Sequence, residues 1–282
     1  DGRFYLSIGD AFTAANGQDL TTVFGKVLRI NRDGTVPADN PFVDGGGPNV
    51  DEIWLYGVRN PFRAWWDLSG GRYFIGDVGG NNAPTAYEEI NVGAKGGNYG
   101  WSVCEGPLNA PKNGAACPPG ITGPILTYAH DAAAGCCDNA SITGGELFDS
   151  TALPAQLQRA YIYGDYARSD INWALVDSQN NVTAKGLLKS VAPRSPVWIS
   201  QGPDGHIYYV NFNYGGLSDI RRLRYTGAVD PAPTLTSVSA TPSTGGAPLT
   251  VQFAAVVSDP LNRTVQYLWD FGDGTTSTEA AP

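Results

Sequence analysis

A chain of 282 residues with 27 acidic and 18 basic side chains carries a net charge of -9, a poor match for a phosphate backbone, so nucleic-acid binding is set aside. No run of eighteen apolar residues exists, so nothing in the sequence spans a membrane. A hydrophobic content of 42% with 16% charged residues excludes a disordered chain, and the length allows one large domain or two. The chain opens on Asp1 with no basic n-region and no signal peptide, so a processed product or a fragment is expected.

Helix signals are scarce, and short alternating or aromatic runs bounded by Gly, Asp and Asn predict strands and turns. A strand is predicted over residues 3–8, inside a segment that ends in Gly9-Asp10, with a returning strand over 26–30. Residues 71–77, ending in Gly76-Asp77, repeat the first segment. So do residues 159–165, ending in Gly164-Asp165, which are followed by a returning strand over 172–176. Residues 205–211 form a weaker fourth copy, followed by a strand over 220–225. A strand, a Gly-Asp turn, a loop and a returning strand make part of a propeller blade. The step from Tyr161 to Ile207 is 46 residues, near one blade, and the longer earlier steps imply insertions. A β-sandwich with accidental similarity is the alternative.

The cysteines are Cys104, Cys117, Cys136 and Cys137, with no CxxC, which reads as disulfides more readily than as metal ligands. Pairing Cys104 with Cys117 closes a short loop and leaves Cys136 and Cys137 as a vicinal disulfide or free thiols. The role is a loop staple or a redox switch. With little Lys and much Thr, Asn and Gly, these cysteines favour a protein that is secreted, periplasmic or at the cell surface.

After Tyr225 the composition changes, and 227–235, with Asp230, Pro231 and Pro233, reads as a linker. Residues 236–282 predict Thr-, Ser- and Val-rich strands ending in Trp269-Asp270-Phe271-Gly272-Asp273-Gly274. An immunoglobulin-like β-sandwich wants about 100 residues, so this one is expected to be partial.

Residues 52–101 carry the strongest pattern. Glu52 leads to Tyr56-Gly57-Val58-Arg59-Asn60-Pro61-Phe62-Arg63, then Ile75-Gly76-Asp77-Val78-Gly79, then Glu88-Glu89-Ile90-Asn91, then Lys95-Gly96-Gly97-Asn98-Tyr99-Gly100-Trp101. This series, with Gly25-Lys26-Val27-Leu28-Arg29-Ile30-Asn31, Asn40-Pro41-Phe42, Ile142-Thr143-Gly144-Gly145 and Tyr163-Gly164-Asp165-Tyr166, closely resembles the soluble quinoprotein glucose and sorbosone dehydrogenase family. The resemblance covers roughly 1–226 and implies an all-β fold of the six-bladed β-propeller type, with about four blades in this chain. The Trp269–Gly274 hexapeptide resembles a PKD domain, supported by residues 248–253, which assigns 236–282 to a partial PKD sandwich.

The resemblance implies oxidation of aldose sugars by hydride transfer to pyrroloquinoline quinone (PQQ), with calcium (Ca2+) polarising a quinone carbonyl through oxygen ligands. It places Arg59 and Asn60 at the quinone oxygens, where a guanidinium supplies a fixed positive charge, and Glu88 and His130 at the cofactor site. It assigns the carbonyls of Gly79 and Gly80 to the cofactor's calcium, with Gly80 a mild departure from relatives that carry Pro or Gln there. It assigns Glu89 and the carbonyl of Tyr99 to a structural calcium. Read as residues alone, Arg59 satisfies turn carbonyls before Pro61, Gly79 and Gly80 form an ordinary turn, and the two glutamates are solvated strand acids. The family's general-base His would lie upstream of Asp1, His206 reads as a turn residue, and Arg194 is out of register with the family's cofactor arginines.

A sugar substrate is therefore expected, with the electron acceptor left open and the PKD segment assigned surface or polysaccharide contact. The alternative is a non-catalytic secreted propeller that binds carbohydrate or protein. A calcium-dependent hydrolase or lactonase lacks a Ser-His or acid-His constellation in the sequence.

Overall fold

The computed structural model describes residues 1–81, 85–108, 116–130, 140–193, 195–213, 216–226, 233–259 and 265–282. The chain forms two compact units, Asp1–Tyr225 and Thr226–Pro282. Among the described residues, helix is limited to short 3-10 turns at Ala14–Gly17 and Ala155–Leu157.

The first unit is a series of four antiparallel meander sheets. The first holds β1 (Phe4–Ile8), β2 (Lys26–Ile30) and β3 (Ile53–Tyr56), and the second holds β4 (Pro61–Asp67), β5 (Arg72–Asp77), β6 (Tyr87–Gly93) and β7 (Leu126–Ala129). The third holds β8 (Ile142–Phe148), β9 (Ala160–Asp165), β10 (Asp170–Val176) and β11 (Val182–Ser190), and the fourth β12 (Ser195–Gln201), β13 (Ile207–Phe212) and β14 (Asp219–Leu223). The four sequence copies become β1, β5, β9 and β13, the strand next to the first strand of a blade in sheets two to four. Strands β4, β8 and β12 pack in succession, as the innermost strands of neighbouring blades do.

Strand alternation explains why the second and third sheets are apolar on both faces. On β5, Tyr73 and Ile75 join Val27, Trp54 and Leu55 in a core shared with the first sheet. Phe74, between them, faces the other way and stacks on Tyr161 of β9 at 4.8 Å. On β9, Ala160 and Ile162 turn toward Ile199, Ile207 and Tyr209 of the fourth sheet.

The repeated Gly-Asp pair corrects the sequence reading. Gly76-Asp77 and Gly164-Asp165 end β5 and β9 inside the strands and do not form turns. Gly76 is needed for close approach, since a Cβ there would lie 2.6 Å from the Cα of Gly144. The Asp accepts backbone N–H groups at the start of its own blade. Asp77 takes those of Arg59 (3.0 Å) and Asn60 (2.7 Å), and Asp165 takes that of Ser141 (3.1 Å).

Cys104 and Cys117 form a disulfide with Cα atoms 5.6 Å apart, an ordinary spacing, which staples the connection between β6 and β7. Cys136 and Cys137 lie outside the described residues. In the second unit, β15 (Thr234–Thr241) pairs with β16 (Gln252–Ser258), and β17 (Trp269–Asp270) pairs with β18 (Thr276–Ser277) across the predicted Asp-Gly turn. Phe253 packs against Trp269 and Phe271.

Sheets two and three are also joined by charge. Buried Asp67 accepts hydrogen bonds from Ser69 (2.8 Å) and the N–H of Gly70 (2.9 Å), and it pairs with Arg72 (3.0 Å) and with Arg159 from the third sheet (3.2 Å). Burial pushes its pKa up, but the hydrogen bonds of Ser69, Gly70 and Arg72 and the charge of Arg159 outweigh this and hold it at about 2. A folded-state pKa below the ordinary 3.8 means the ionised carboxylate stabilises the fold above that value and stops doing so as pH falls through about 2. The variant Asp67→Asn is expected to lose about 2 kcal/mol at pH 7, from about 1.4 kcal/mol per pKa unit. Denaturant unfolding at pH 7 and pH 2.5 should show the gap between variant and wild type narrowing in acid.

Candidate functional site

The Arg59-Asn60 turn is fixed before β4 by three backbone bonds. Asp77 holds both N–H groups, and the Arg59 carbonyl accepts the N–H of Asp10 at 2.8 Å. The Arg59 guanidinium donates to the Val78 carbonyl and to Asn81, both at 3.2 Å, and lies 5.6 Å from the Trp101 ring centroid. Trp101 donates its indole N–H to Asp10 at 2.9 Å. Arg59 does satisfy a turn carbonyl, but its charge also borders open space. A cavity of about 250 Å³ is lined by Asp10, Phe12, Arg59, Gly80, Trp101 and Glu105. A second, of about 320 Å³, shares Asp10, Phe12 and Arg59 and adds Phe24 and Asn60. A third, of about 320 Å³, runs from Asn60 past Val78 and Thr143 to Tyr166 and Phe212. The buried Thr143 hydroxyl in its wall has no hydrogen-bond partner among the described residues.

The acids behind this turn are buried, which overturns their reading as solvated strand residues. Glu88 accepts from the Gly79 N–H (3.3 Å), His130 Nε2 (2.6 Å) and the Ile142 N–H (2.7 Å). Glu89 points the other way, accepting from the Gly106 N–H (2.6 Å) and Asn91 (3.0 Å). Glu105 takes the N–H groups of Gly80 and Tyr87. Burial pushes Asp77 up to about 7, with the Glu88 charge adding to it against the N–H groups of Arg59 and Asn60. Burial and the charges of Asp77 and Glu105 push Glu89 up to about 8, against its hydrogen bonds.

The structure thus joins Arg59, Asn60 and Gly80 at adjoining cavities. It sets Glu88 and His130 together as a buried acid-His pair, although no such pair was legible in the sequence, and neither side chain lines the three cavities. Gly79 is closed in, since a Cβ there would lie 1.9 Å from the Tyr87 carbonyl oxygen. A Cβ at Gly80 would lie 3.2 Å from the Glu105 carboxylate, whose side chain can shift. The Tyr99 hydroxyl donates to the Val92 carbonyl (2.6 Å) and accepts the Ala94 N–H (2.8 Å). Among the described residues, no three His, Cys, Asp or Glu side chains are placed to hold a metal. His206 lies in the turn before β13, as expected, and Arg194 lies outside the described residues.

Sequence reasoning missed Asp10, Glu105 and the wall of Trp101. A signal for Asp10 was present, because it ends the first repeat copy where Asp77 and Asp165 end theirs.

The glucose/sorbosone dehydrogenase family profile matches residues 1–218, and the PKD domain profile matches residues 235–282. The HIPL1 protein of Arabidopsis thaliana is 32% identical over 236 residues, covering 72% of this chain and 32% of that protein. The aldose sugar dehydrogenase YliI of Escherichia coli is 28% identical over 223 residues, covering 77% of this chain and 56% of that one. The crystal structure of the soluble aldose sugar dehydrogenase from Escherichia coli in the apo-form superposes with a TM-score of 0.61 at 25% identity, over 74% of this chain and 58% of that one. A glucose dehydrogenase crystal structure gives a TM-score of 0.65 at 21% identity, over 80% of this chain and 61% of that one, and supports the propeller fold alone. The chain spans between 32% and 61% of the length of these relatives. On the match over 1–218, the chain belongs to the glucose/sorbosone dehydrogenase family and carries a PKD domain after it.

Proposed function

We propose that this chain supplies one wall of the site at which a PQQ-dependent enzyme oxidises an aldose. The observation that carries this reading is the fixed guanidinium of Arg59 at the junction of two cavities, with Asn60 opening onto a third. The residues fit a planar, polyoxygenated group. The third cavity has the aromatic walls Tyr166 and Phe212, and Asn60 at its edge carries an amide donor and acceptor.

PQQ, when bound, supplies the two-electron acceptor for the sugar's hydride. Arg59 and Asn60 are proposed to hold it. Because Arg59 is already pinned by Val78, Asn81 and Trp101, its positive charge needs no rearrangement to meet negative charge developing beside it. Glu88 and His130 are proposed to act indirectly, by fixing the Gly79 N–H and the start of β8. The proton acceptor is proposed to be a His outside residues 1–282. In support, His130 is buried against Glu88 and His206 lies in a turn.

Calcium is proposed at the carbonyls of Gly79 and Gly80, hard oxygen donors that suit it. The mutual repulsion of Asp77, Glu89 and Glu105 favours a cation in this neighbourhood, including the second proposed position at Glu89 and the Tyr99 carbonyl. An oxidising location, exported or periplasmic, is proposed from the Cys104–Cys117 disulfide, and no described helix is long and apolar enough to cross a membrane. From its PKD resemblance, the second unit is proposed to contact surfaces or polysaccharide.

Titration of the chain with PQQ and calcium, followed by absorbance and calorimetry, tests the reading. Stoichiometric binding is expected, weakened at least tenfold in Arg59→Ala, a loss in keeping with one charge-assisted contact. Absence of binding by the chain and by the longer protein containing it would sink the reading and leave the non-catalytic module. The two glycines give a second test. Gly79→Ala should lose calcium and PQQ binding, because its Cβ meets the Tyr87 carbonyl, while Gly80→Ala should bind nearly as wild type. Equal loss in both variants would argue against this placement of the ion.

A further inference from the structure

Phe12 is the most exposed aromatic among the described residues. Its side chain is fully exposed, so it adds nothing to the cores between the sheets. Its backbone and that of Ala11 are both left-handed, at φ 59° and 55°, a region that L side chains rarely enter and that glycine occupies freely. The turn is nonetheless tightly held. Asp10 accepts the N–H of Phe12 through Oδ1 (3.0 Å), the Asp10 carbonyl accepts the side-chain amide of Asn16 (2.9 Å), and Oδ2 takes the Trp101 indole. The backbone that carries the ring is therefore held relative to Arg59, at the lip where the two cavities that share Asp10, Arg59 and Phe12 meet.

We propose that Phe12 is the apolar platform for the substrate, carrying the C–H face of a pyranose while the hydroxyl edge of the sugar turns to Asp10 and Arg59. This deepens the reading above and rests on it. A pyranose suits the place chemically. One face of the ring is a patch of C–H groups with partial positive charge, which the negative face of an aromatic ring attracts, and its rim is all hydroxyl. Asp10 keeps lone pairs for a hydroxyl donor beyond those its present bonds use, and Arg59 donates. A cofactor that stays bound through many turnovers belongs against the deeper walls, whereas a ligand that enters and leaves each cycle meets the rim. A left-handed, solvent-exposed Phe at this rim gives up stability that a Gly would keep, which is expected of a residue retained for contact with a ligand.

The test compares wild type with Phe12→Ala, Phe12→Gly and Phe12→Trp, each in the longer protein proposed to include the proton acceptor. It measures quinone-dependent turnover of D-glucose with PQQ and calcium added, direct D-glucose binding by saturation-transfer NMR, and thermal unfolding. Phe12→Ala and Phe12→Gly are expected to raise KM and the dissociation constant about tenfold with kcat within about twofold, and Phe12→Trp to restore both. Phe12→Gly should unfold at or above the wild-type temperature, because glycine relieves the left-handed turn, so its loss of affinity cannot come from a damaged fold. Unchanged KM and dissociation constant in Phe12→Ala and Phe12→Gly would overturn the proposal while leaving the enzyme reading intact. Wild type that binds D-glucose without turning it over would sink the enzyme reading, and loss of that binding in Phe12→Ala would still support the platform. Wild type that binds no D-glucose would overturn the platform.

Discussion

The bond on which the site depends is the one between a carboxylate at the end of a blade's second strand and the backbone that enters its first strand. Asp77 receives the N–H groups of Arg59 and Asn60 with one oxygen each, so the turn that carries both residues is held from below. Pro61 then begins β4 with no donor of its own to place. Asp165 repeats the bond for the third sheet through Ser141. A side-chain acceptor serves here because the turn lies beyond the sheet ladder, where its part-buried N–H groups have no strand to meet.

The sheets bring these turns together because they pack backbone to backbone at their inner ends. Gly76 lets β5 meet Gly144 of β8, while the aromatic layer of Phe74 and Tyr161 fills the wider space farther out. The change from glycine to stacked rings sets how far successive sheets diverge. Its result is that loops after β1 and β5 and before β4 and β8 border adjoining cavities, which is why residues as distant as Asp10, Arg59, Trp101 and Thr143 line them.

Most of the blade plan was legible because its determinants are local. The repeat was visible as an aromatic strand ending in Gly-Asp, and β1, β5, β9 and β13 follow it. Arg59 and Asn60 were legible through the order of motifs around them. What the pair is held by was not, since Asp77 lies 18 and 17 residues away and reads as a turn residue until the register is known. Burial of Glu88 and Glu89 was also hidden. Adjacent acids on a strand point to opposite faces, and only the blade packed on each side decides whether a face meets water. The acid-His pair needed contact across 42 residues, and Phe12 gave no signal because its backbone conformation cannot be inferred from its neighbours.

The loops are held by buried charge set against backbone groups instead of against opposite charge. Lys26 sends its ammonium to the carbonyls of Asn16 (2.6 Å), Phe24 (2.7 Å) and Gly17 (3.3 Å), closing the loop that begins at Asp10. Burial lowers its pKa to about 8, against the charge of Asp19, just as burial raises that of Asp77 to about 7. For Asp77, a raised folded-state value means stability is lost as pH rises from its ordinary 3.8 to about 7. For Lys26, a lowered value means stability is regained only as pH rises from about 8 toward 10.5. Near neutral pH Lys26 is therefore charged and Asp77 is about half ionised, and the burial cost of each is offset by the carbonyls and N–H groups they hold. A direct ion pair would have stabilised the fold more simply, but it would have fixed two side chains to each other. Charges set against backbone fix the loops themselves, and it is those loops that place Arg59, Asp10 and Phe12 around a common space.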